Sequence, residues 1–120
     1  SPDRAAFFRA VAQAVCAKPV SDAVVDWMWS IFMQTAPGVE ETMGGLADLD
    51  QRAILGKLGV PLLAIAGSND SFTPPSIAEA ATVITHDATL HVFDGCGHAP
   101  FIEDFEGYTT ALSRFLDRLG

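Results

Sequence analysis

The fold is decided by residues 60–70, which read Val60-Pro61-Leu62-Leu63-Ala64-Ile65-Ala66-Gly67-Ser68-Asn69-Asp70. Residues 62–66 form an uninterrupted apolar run that ends at Gly67. A short run of this kind, bounded by Pro and Gly, predicts a β-strand. Because the run has no polar face, we expect the strand to be buried on both sides, as in a parallel sheet.

A helix and a second strand are predicted to follow. Pro74-Pro75-Ser76 opens a helix that runs to Ile84, and residues 89–93 alternate as a strand does. Strand, helix and strand with short links form a βαβ unit, so the two strands should be parallel with a right-handed crossover. A closing helix carries one apolar stripe, formed by Tyr108, Leu112, Phe115, Leu116 and Leu119. We therefore assign the chain to the α/β class, with a βαβα unit in residues 59–120.

Residues 1–58 are predicted to be entirely helical, because apolar residues recur there at helical spacing. Pro2 and Asp3 suit the start of the first helix, and Ser21 is a favourable N-cap for the second. Four helices are expected, beginning near Asp3, Ser21, Val39 and Asp50 and ending near Pro19, Pro37, Leu46 and Leu58. The change of period near Gly59 separates this helical segment from the strand-containing part.

Two parallel strands make a poor sheet, since parallel sheets normally have several strands and both faces covered. An exposed strand as apolar as residues 62–66 would invite aggregation. We therefore expect further strands to pair with it. They would come from chain before Ser1 or from a second polypeptide.

Composition excludes several classes of protein. Apolar residues make up 49% of the chain, which is too many for a disordered polar segment. Seven basic residues against fifteen acidic ones give a net charge of -8, so nucleic acid is not an expected partner. No apolar run approaches the roughly 18 residues of a membrane span. Two cysteines build neither a disulfide framework nor a zinc site, so we expect free thiols, no metal and a cytoplasmic setting.

Two ionisable residues follow the predicted strands, Asp70 after the first and His98 after the second. Ligands of open parallel sheets gather at the carboxyl ends of the strands. If the strands are neighbours, both side chains emerge at that edge, and the carboxylate can accept the imidazole Nδ1 proton. The other ring nitrogen is then fixed as the acceptor of a proton from a hydroxyl nucleophile.

These residues lie in two segments that resemble the acid and histidine segments of the α/β-hydrolase family. The first is residues 60–70 followed by Thr73-Pro74-Pro75. The second reads Asp94-Gly95-Cys96-Gly97-His98-Ala99-Pro100-Phe101 and leads into Glu103 and the last helix. The resemblance covers roughly Leu49 to Leu119 and implies that Asp70 and His98 are the acid and base of a catalytic triad. It also implies that residues 1–58 are part of the cap over the active site.

The chain departs from that family in one respect. The family's nucleophile sits in a Gly-x-Ser-x-Gly turn, and no such pentapeptide occurs in these 120 residues. We expect the nucleophile, the oxyanion hole and the first strands to precede Ser1. Within the chain, Ser68 and Cys96 are poor substitutes. Ser68 lacks the glycine-flanked turn, and Cys96 is not expected to form a thiolate pair with His98, which lies two residues later.

Other readings of the candidate residues stay open. Asp70 could be a turn carboxylate that caps the following helix, and His98 could be a loop histidine bound to the backbone. The aromatic residues Trp27 and Phe32 could pack the cap on the core or, as the family resemblance implies, contact substrate together with Phe101. Glu103 and Asp104 are expected to favour the start of the last helix through its dipole.

The resemblance implies a serine hydrolase acting on carboxylic esters, with a small hydrophobic ester or acyl substrate and no cofactor. The same framework serves lactonases, C–C hydrolases, dehalogenases, epoxide hydrolases and perhydrolases, so fold alone does not choose the reaction. The alternative is a non-catalytic half-domain that associates with another polypeptide through its open sheet edge.

Overall fold

The computed structural model of the chain describes residues 3–120. Its helical front comprises α1 (Arg4–Val15), α2 (Asp22–Met33), α3 (Val39–Met43), a 3-10 turn (Gly44–Asp48) and α4 (Arg52–Leu55). The remainder comprises β1 (Leu62–Gly67), α5 (Pro75–Ile84), β2 (Ala88–Phe93), α6 (Pro100–Glu103) and α7 (Phe105–Arg118). This order confirms the predicted α/β class. The predicted role of Pro2 lies outside the described residues.

The first two helices begin where their capping residues predict. The Asp3 carboxylate accepts the Ala6 N–H at 2.9 Å, and the Ser21 hydroxyl accepts the Val24 N–H at 3.3 Å. The predicted length of the fourth helix is wrong, because α4 covers only residues 52–55 of the expected 50–58. Gly56 and Gly59 disfavour the helical conformation there, and the hydrogen bonds of a single turn do not offset the unfavourable free energy of helix nucleation.

The two strands pair in parallel, in register from Leu62 opposite Ala88 to Gly67 opposite Phe93. Helix α5 connects them and packs against both, which is the arrangement of a βαβ unit. The expectation that β1 is buried on both faces is not met. Residues 62–66 are half-buried, since within residues 3–120 the sheet contains β1 and β2 alone.

The helical front is joined to the histidine segment by a small apolar core. Ala12 and Val15 of α1 and Met28 of α2 are buried together with Ala99, which directly follows His98. Partly buried residues complete this core: Cys16, Val24, Val25, Trp29, Phe32 and Ile102. The end of α1 and the loop that carries His98 therefore share one packed interface.

Every helix in the described range is too short or too polar to cross a bilayer.

Candidate active site

Asp70 and His98 meet at the carboxyl edge of the sheet. Asp70 lies in the loop after β1 and His98 in the loop after β2. Parallel pairing in register brings these two loops to the same edge. The Asp70 Oδ2 atom lies 2.8 Å from the His98 Nδ1 atom, a hydrogen bond between a carboxylate and an imidazole.

The Asp70 carboxylate is held by its own loop. Its Oδ1 atom accepts the backbone N–H groups of Phe72 at 2.8 Å and Thr73 at 3.0 Å, and Oδ2 accepts the Thr73 hydroxyl at 3.0 Å. Burial acts to raise the pKa of Asp70, but the hydrogen bonds from Thr73, His98 and Phe72 outweigh it. They lower the pKa to about 2. The carboxylate is therefore ionised at neutral pH although its side chain is only 6% exposed.

The imidazole of His98 is fixed on one side and open on the other. Its side chain is 46% exposed, while Nδ1 is engaged by Asp70. With Nδ1–H donated to a carboxylate, Nε2 is left as the unprotonated nitrogen that can accept a proton. Phe72 packs against the ring, and the Thr73 hydroxyl lies 3.4 Å from Nδ1. Chemically, such a pair can serve as a base whose orientation is set by the carboxylate.

Two glycines permit the backbones around His98 to approach closely. A Cβ at Gly67 would overlap the carbonyl oxygens of Cys96 and Gly97. A Cβ at Gly97 would lie 2.7 Å from the Ala17 nitrogen and 2.8 Å from the Val15 carbonyl oxygen. The loop that carries His98 (residues 94–99, the histidine loop) therefore packs closely against the end of β1 and the end of α1.

A cavity of about 270 Å³ adjoins the Asp70–His98 pair. It lies against β1 and α5, and its walls are largely apolar. Besides the pair and Gly97, it is lined by Ile65, Ala66, Gly67, Thr73, Pro74, Ile77, Ala78, Ala81 and Pro100. The cavity gives apolar groups a place beside the imidazole.

The predicted substrate contacts are not among the residues that line this cavity. Trp27 is 55% exposed on α2. Phe32 packs in the α1–α2 core, with its ring centroid 6.3 Å from that of Phe8. Phe101 packs edge-to-face against Tyr108, with ring centroids 5.9 Å apart, and is half-exposed. The structure brings Asp70 and His98 together but does not bring these three residues to the same cavity, and their contact with substrate stays a prediction.

The Ser68 hydroxyl is hydrogen-bonded to another loop, and the Cys96 thiol is buried. The Ser68 hydroxyl accepts the Gly95 N–H at 2.7 Å and so ties the ends of the two strands together. Cys96 is fully buried, and burial raises the pKa of its thiol. Neither group has the environment of an activated nucleophile.

Three residues near the pair were not predicted to act there. Phe72 and Thr73 contact His98 or Asp70 directly. Asp side chains in turns accept the backbone N–H group two residues on, a signal that could have pointed to Phe72. Asp104 caps α7 as expected, accepting the Gly107 N–H at 3.0 Å. Glu103 does not, since its carboxylate binds backbone N–H groups of the histidine loop instead.

No group of three or more potential metal ligands occurs in residues 3–120.

The chain is similar in sequence to several curated esterases. A pimeloyl-(acyl-carrier protein) methyl ester esterase from Serratia marcescens is 34% identical over 89 residues, which cover 72% of this chain and 35% of that protein. An enzyme of the same name from Aromatoleum aromaticum is 44% identical over 57 residues, or 48% of this chain and 23% of that protein. The chain therefore spans about a third or less of these relatives. No protein-family model matches it.

Solved structures match almost the whole chain. An esterase from Exiguobacterium antarcticum superposes with a TM-score of 0.89 at 24% identity, covering 97% of this chain and 44% of that one. A bromoperoxidase from Bacillus anthracis also gives 0.89, at 22% identity, covering 96% and 44%. An esterase from a Rhodococcus species gives 0.85 at 22% identity, covering 99% and 43%. Strand order, site geometry and these similarities agree, and the chain belongs to the α/β-hydrolase family.

Proposed function

We propose that this chain supplies the acid and the base of the catalytic triad of a carboxylic ester hydrolase. Asp70 is the acid, His98 is the base, and the serine nucleophile lies outside residues 1–120. The observation that carries the proposal is the 2.8 Å hydrogen bond between Asp70 Oδ2 and His98 Nδ1. It joins a buried, ionised carboxylate to a half-exposed imidazole, which is what base catalysis at a hydroxyl requires.

The proposed chemistry follows from that geometry. The His98 Nε2 atom takes the proton from the serine hydroxyl as its oxygen attacks the ester carbonyl carbon. The imidazolium that forms is stabilised by Asp70, and it returns the proton to the departing alkoxide, so that an alcohol leaves and an acyl-enzyme remains. A water molecule then attacks the acyl carbon with the same residue as base, and the carboxylic acid is released as the serine is restored.

The named relatives support an ester as substrate. The curated proteins are methyl ester esterases, and two of the matched structures are esterases. The apolar cavity beside the pair fits a hydrophobic acyl or alcohol group. We infer that the substrate is a small or medium hydrophobic carboxylic ester, with methyl esters as the first compounds to test.

The test uses the whole protein that contains this chain. His98→Ala should remove nearly all hydrolysis of methyl and p-nitrophenyl esters, and Asp70→Asn should lower kcat by roughly 10³- to 10⁴-fold. His86→Ala is the matched control, since His86 is an exposed histidine in the turn after α5. Wild-type turnover in His98→Ala would overturn the proposal.

The location of the nucleophile can be tested separately. A fluorophosphonate probe reacts with an activated serine, and mass spectrometry of the labelled protein then identifies the peptide. We expect the label on a serine outside residues 1–120, and its loss in His98→Ala. A label on Ser68 would contradict the assignment.

The division of the chain is also part of the proposal. Residues 1–58 would belong to the cap and residues 59–120 to the hydrolase core, with the first strands of the sheet supplied from outside the chain. The alternative, a non-catalytic half-domain, predicts association with a partner polypeptide that survives both His98→Ala and Asp70→Asn. It also predicts that the wild-type protein hydrolyses none of the esters.

A further inference from the structure

The carboxylate of Glu103 accepts hydrogen bonds from four backbone N–H groups. Its Oε1 atom accepts Ala17 at 2.7 Å, Lys18 at 2.9 Å and Gly97 at 2.9 Å. Its Oε2 atom accepts Gly97 at 2.9 Å and Ala99 at 3.2 Å. Glu103 is the last residue of α6, so its side chain reaches back over a single turn to the loop before that helix.

These four donors belong to two separate parts of the chain. Gly97 and Ala99 flank His98 on either side. Ala17 and Lys18 directly follow α1 and precede Glu103 by 86 and 85 residues in sequence. The His98 N–H itself donates to the Val15 carbonyl oxygen at 2.8 Å. Three consecutive N–H groups of the histidine loop are therefore held, the outer two by Glu103 and the middle one by α1.

We propose that Glu103 is a positioning residue, which holds the backbone of His98 in place so that Nδ1 stays within hydrogen-bonding distance of Asp70 Oδ2. This inference rests on the proposed function of His98. A carboxylate suits the task because each of its oxygens accepts several N–H groups and because hydrogen bonds to a charged acceptor are stronger than neutral ones. Through the same side chain, the segment after α1 is fixed to the base.

The positioning matters because proton transfer is sensitive to distance. A displacement of about 1 Å at a catalytic group can cost 100-fold in rate. Two independent contacts show that the histidine loop has little room to move. Gly97 already lies against Ala17 with no room for a Cβ, and Ala99 is buried in the core shared with α1 and α2.

Glu103→Gln is the informative variant because it preserves size and shape. A glutamine amide has one accepting oxygen and one donating nitrogen. In either orientation of the amide, one set of backbone N–H groups must face an NH₂ group. We expect kcat for ester hydrolysis to fall by about 10- to 100-fold, with KM changed less than about twofold. Glu106→Gln, the same change at an exposed position on the first turn of α7, is the control.

A second measurement reports the position of the imidazole without turnover. The Nδ1–H proton of His98, bonded to Asp70, should give a resolved downfield signal in the proton NMR spectrum of the wild-type protein and of Glu106→Gln. In Glu103→Gln the signal should broaden or shift upfield. An unchanged signal together with unchanged kcat would overturn the inference, and so would a fall in kcat with an unchanged signal.

The two proposals fail in different ways. If the wild-type protein hydrolyses no ester, the proposed function fails, while the NMR comparison still decides whether Glu103 positions His98. If Glu103→Gln does not unfold cooperatively, Glu103→Asp replaces it, since that variant keeps the charge and shortens the side chain by one methylene. Loss of cooperative unfolding in both variants would assign Glu103 to overall stability and overturn the specific role.

Discussion

Phe72 and His98 pack edge-to-face, with ring centroids 5.3 Å apart and ring planes inclined at 73°. Phe72 is also one of the residues whose N–H group binds the Asp70 carboxylate. One residue therefore touches both members of the pair, Asp70 through its backbone and His98 through its side chain. The loop after β1 positions the imidazole as well as the carboxylate.

Replacing Phe72 by Ala should lower kcat without weakening substrate binding. An edge-to-face aromatic pair is worth about 0.5–1.5 kcal/mol, which corresponds to at most a roughly tenfold change in rate. The backbone bond to Asp70 is kept, so the loss measures the side chain alone. Steady-state kinetics of ester hydrolysis by the whole protein provide the measurement.

Phe105→Ala is a suitable control for that experiment, because Phe105 is a more exposed phenylalanine at the start of α7. Its kcat should match the wild type. A loss much greater than tenfold in Phe72→Ala would mean that the ring does more than orient the imidazole. An unchanged kcat would mean that Asp70 alone is sufficient for its orientation.

Asp70 should make stability dependent on pH in acid. Its pKa is about 2 in the folded chain against an unfolded value of about 3.9. A lowered pKa stabilises the fold fully above the unfolded value, and the contribution is lost as the pH falls toward 2. The difference in free energy of unfolding between wild type and Asp70→Asn should therefore shrink by about 2 kcal/mol between pH 6 and pH 2.

Asp50→Asn is the matched control, measured by urea denaturation of the same protein. Arg52 also donates hydrogen bonds to the Asp50 carboxylate, but both side chains of this pair are exposed to solvent. Exposed ion pairs contribute little to stability, so its pH dependence should be small. An equal effect of both variants would show that the buried environment of Asp70 has no energetic consequence.

Gly97→Ala should destabilise the protein and reduce its activity together. The added methyl group would lie 2.7 Å from the Ala17 nitrogen and 2.8 Å from the Val15 carbonyl oxygen. Overpacking of this kind costs about 1–3 kcal/mol, and here it pushes the histidine loop away from α1. Thermal unfolding and ester turnover measure the two effects.

Gly59→Ala introduces the same methyl group where nothing lies within 4 Å. It should leave both the melting temperature and turnover close to wild type. If Gly97→Ala were as stable as Gly59→Ala, the close approach of the histidine loop to α1 would be wrong, and the anchoring of His98 on the front helices with it.

The sequence predicted the strand-containing half well because its signals are local. The apolar run 62–66 and the Pro-Pro pair at 74–75 mark β1 and α5 to within a residue or two. Parallel pairing then placed Asp70 and His98 at one edge. The short helices were harder, since α4 has a single turn and no periodic pattern can define its ends.

The long-range contacts around the pair were beyond the sequence because they depend on chain paths that no local pattern encodes. Glu103 binds Ala17 and Lys18, which lie more than 80 residues earlier. Its position before a helix predicted a role in the helix dipole, and only the three-dimensional approach of α1 to the histidine loop gives it another. Phe72 likewise contacts His98 through the turn that Asp70 itself organises.

Thr73→Val should separate the contribution of the Thr73 hydroxyl to the ionisation of Asp70 from that of the Thr73 backbone N–H. The Thr73 hydroxyl donates to Asp70 Oδ2 at 3.0 Å, the same oxygen that binds His98. Valine keeps the shape and the backbone N–H but removes this donor, so the pKa of Asp70 should rise above about 2. A carboxylate NMR titration measures the pKa, and kcat should fall a few-fold because the acid is less firmly held. Thr73→Ser retains the hydroxyl and should restore both quantities. If serine, which keeps the hydroxyl, behaved as valine does, the hydrogen bond from Thr73 to Asp70 Oδ2 could not be the cause of the change in the pKa of Asp70.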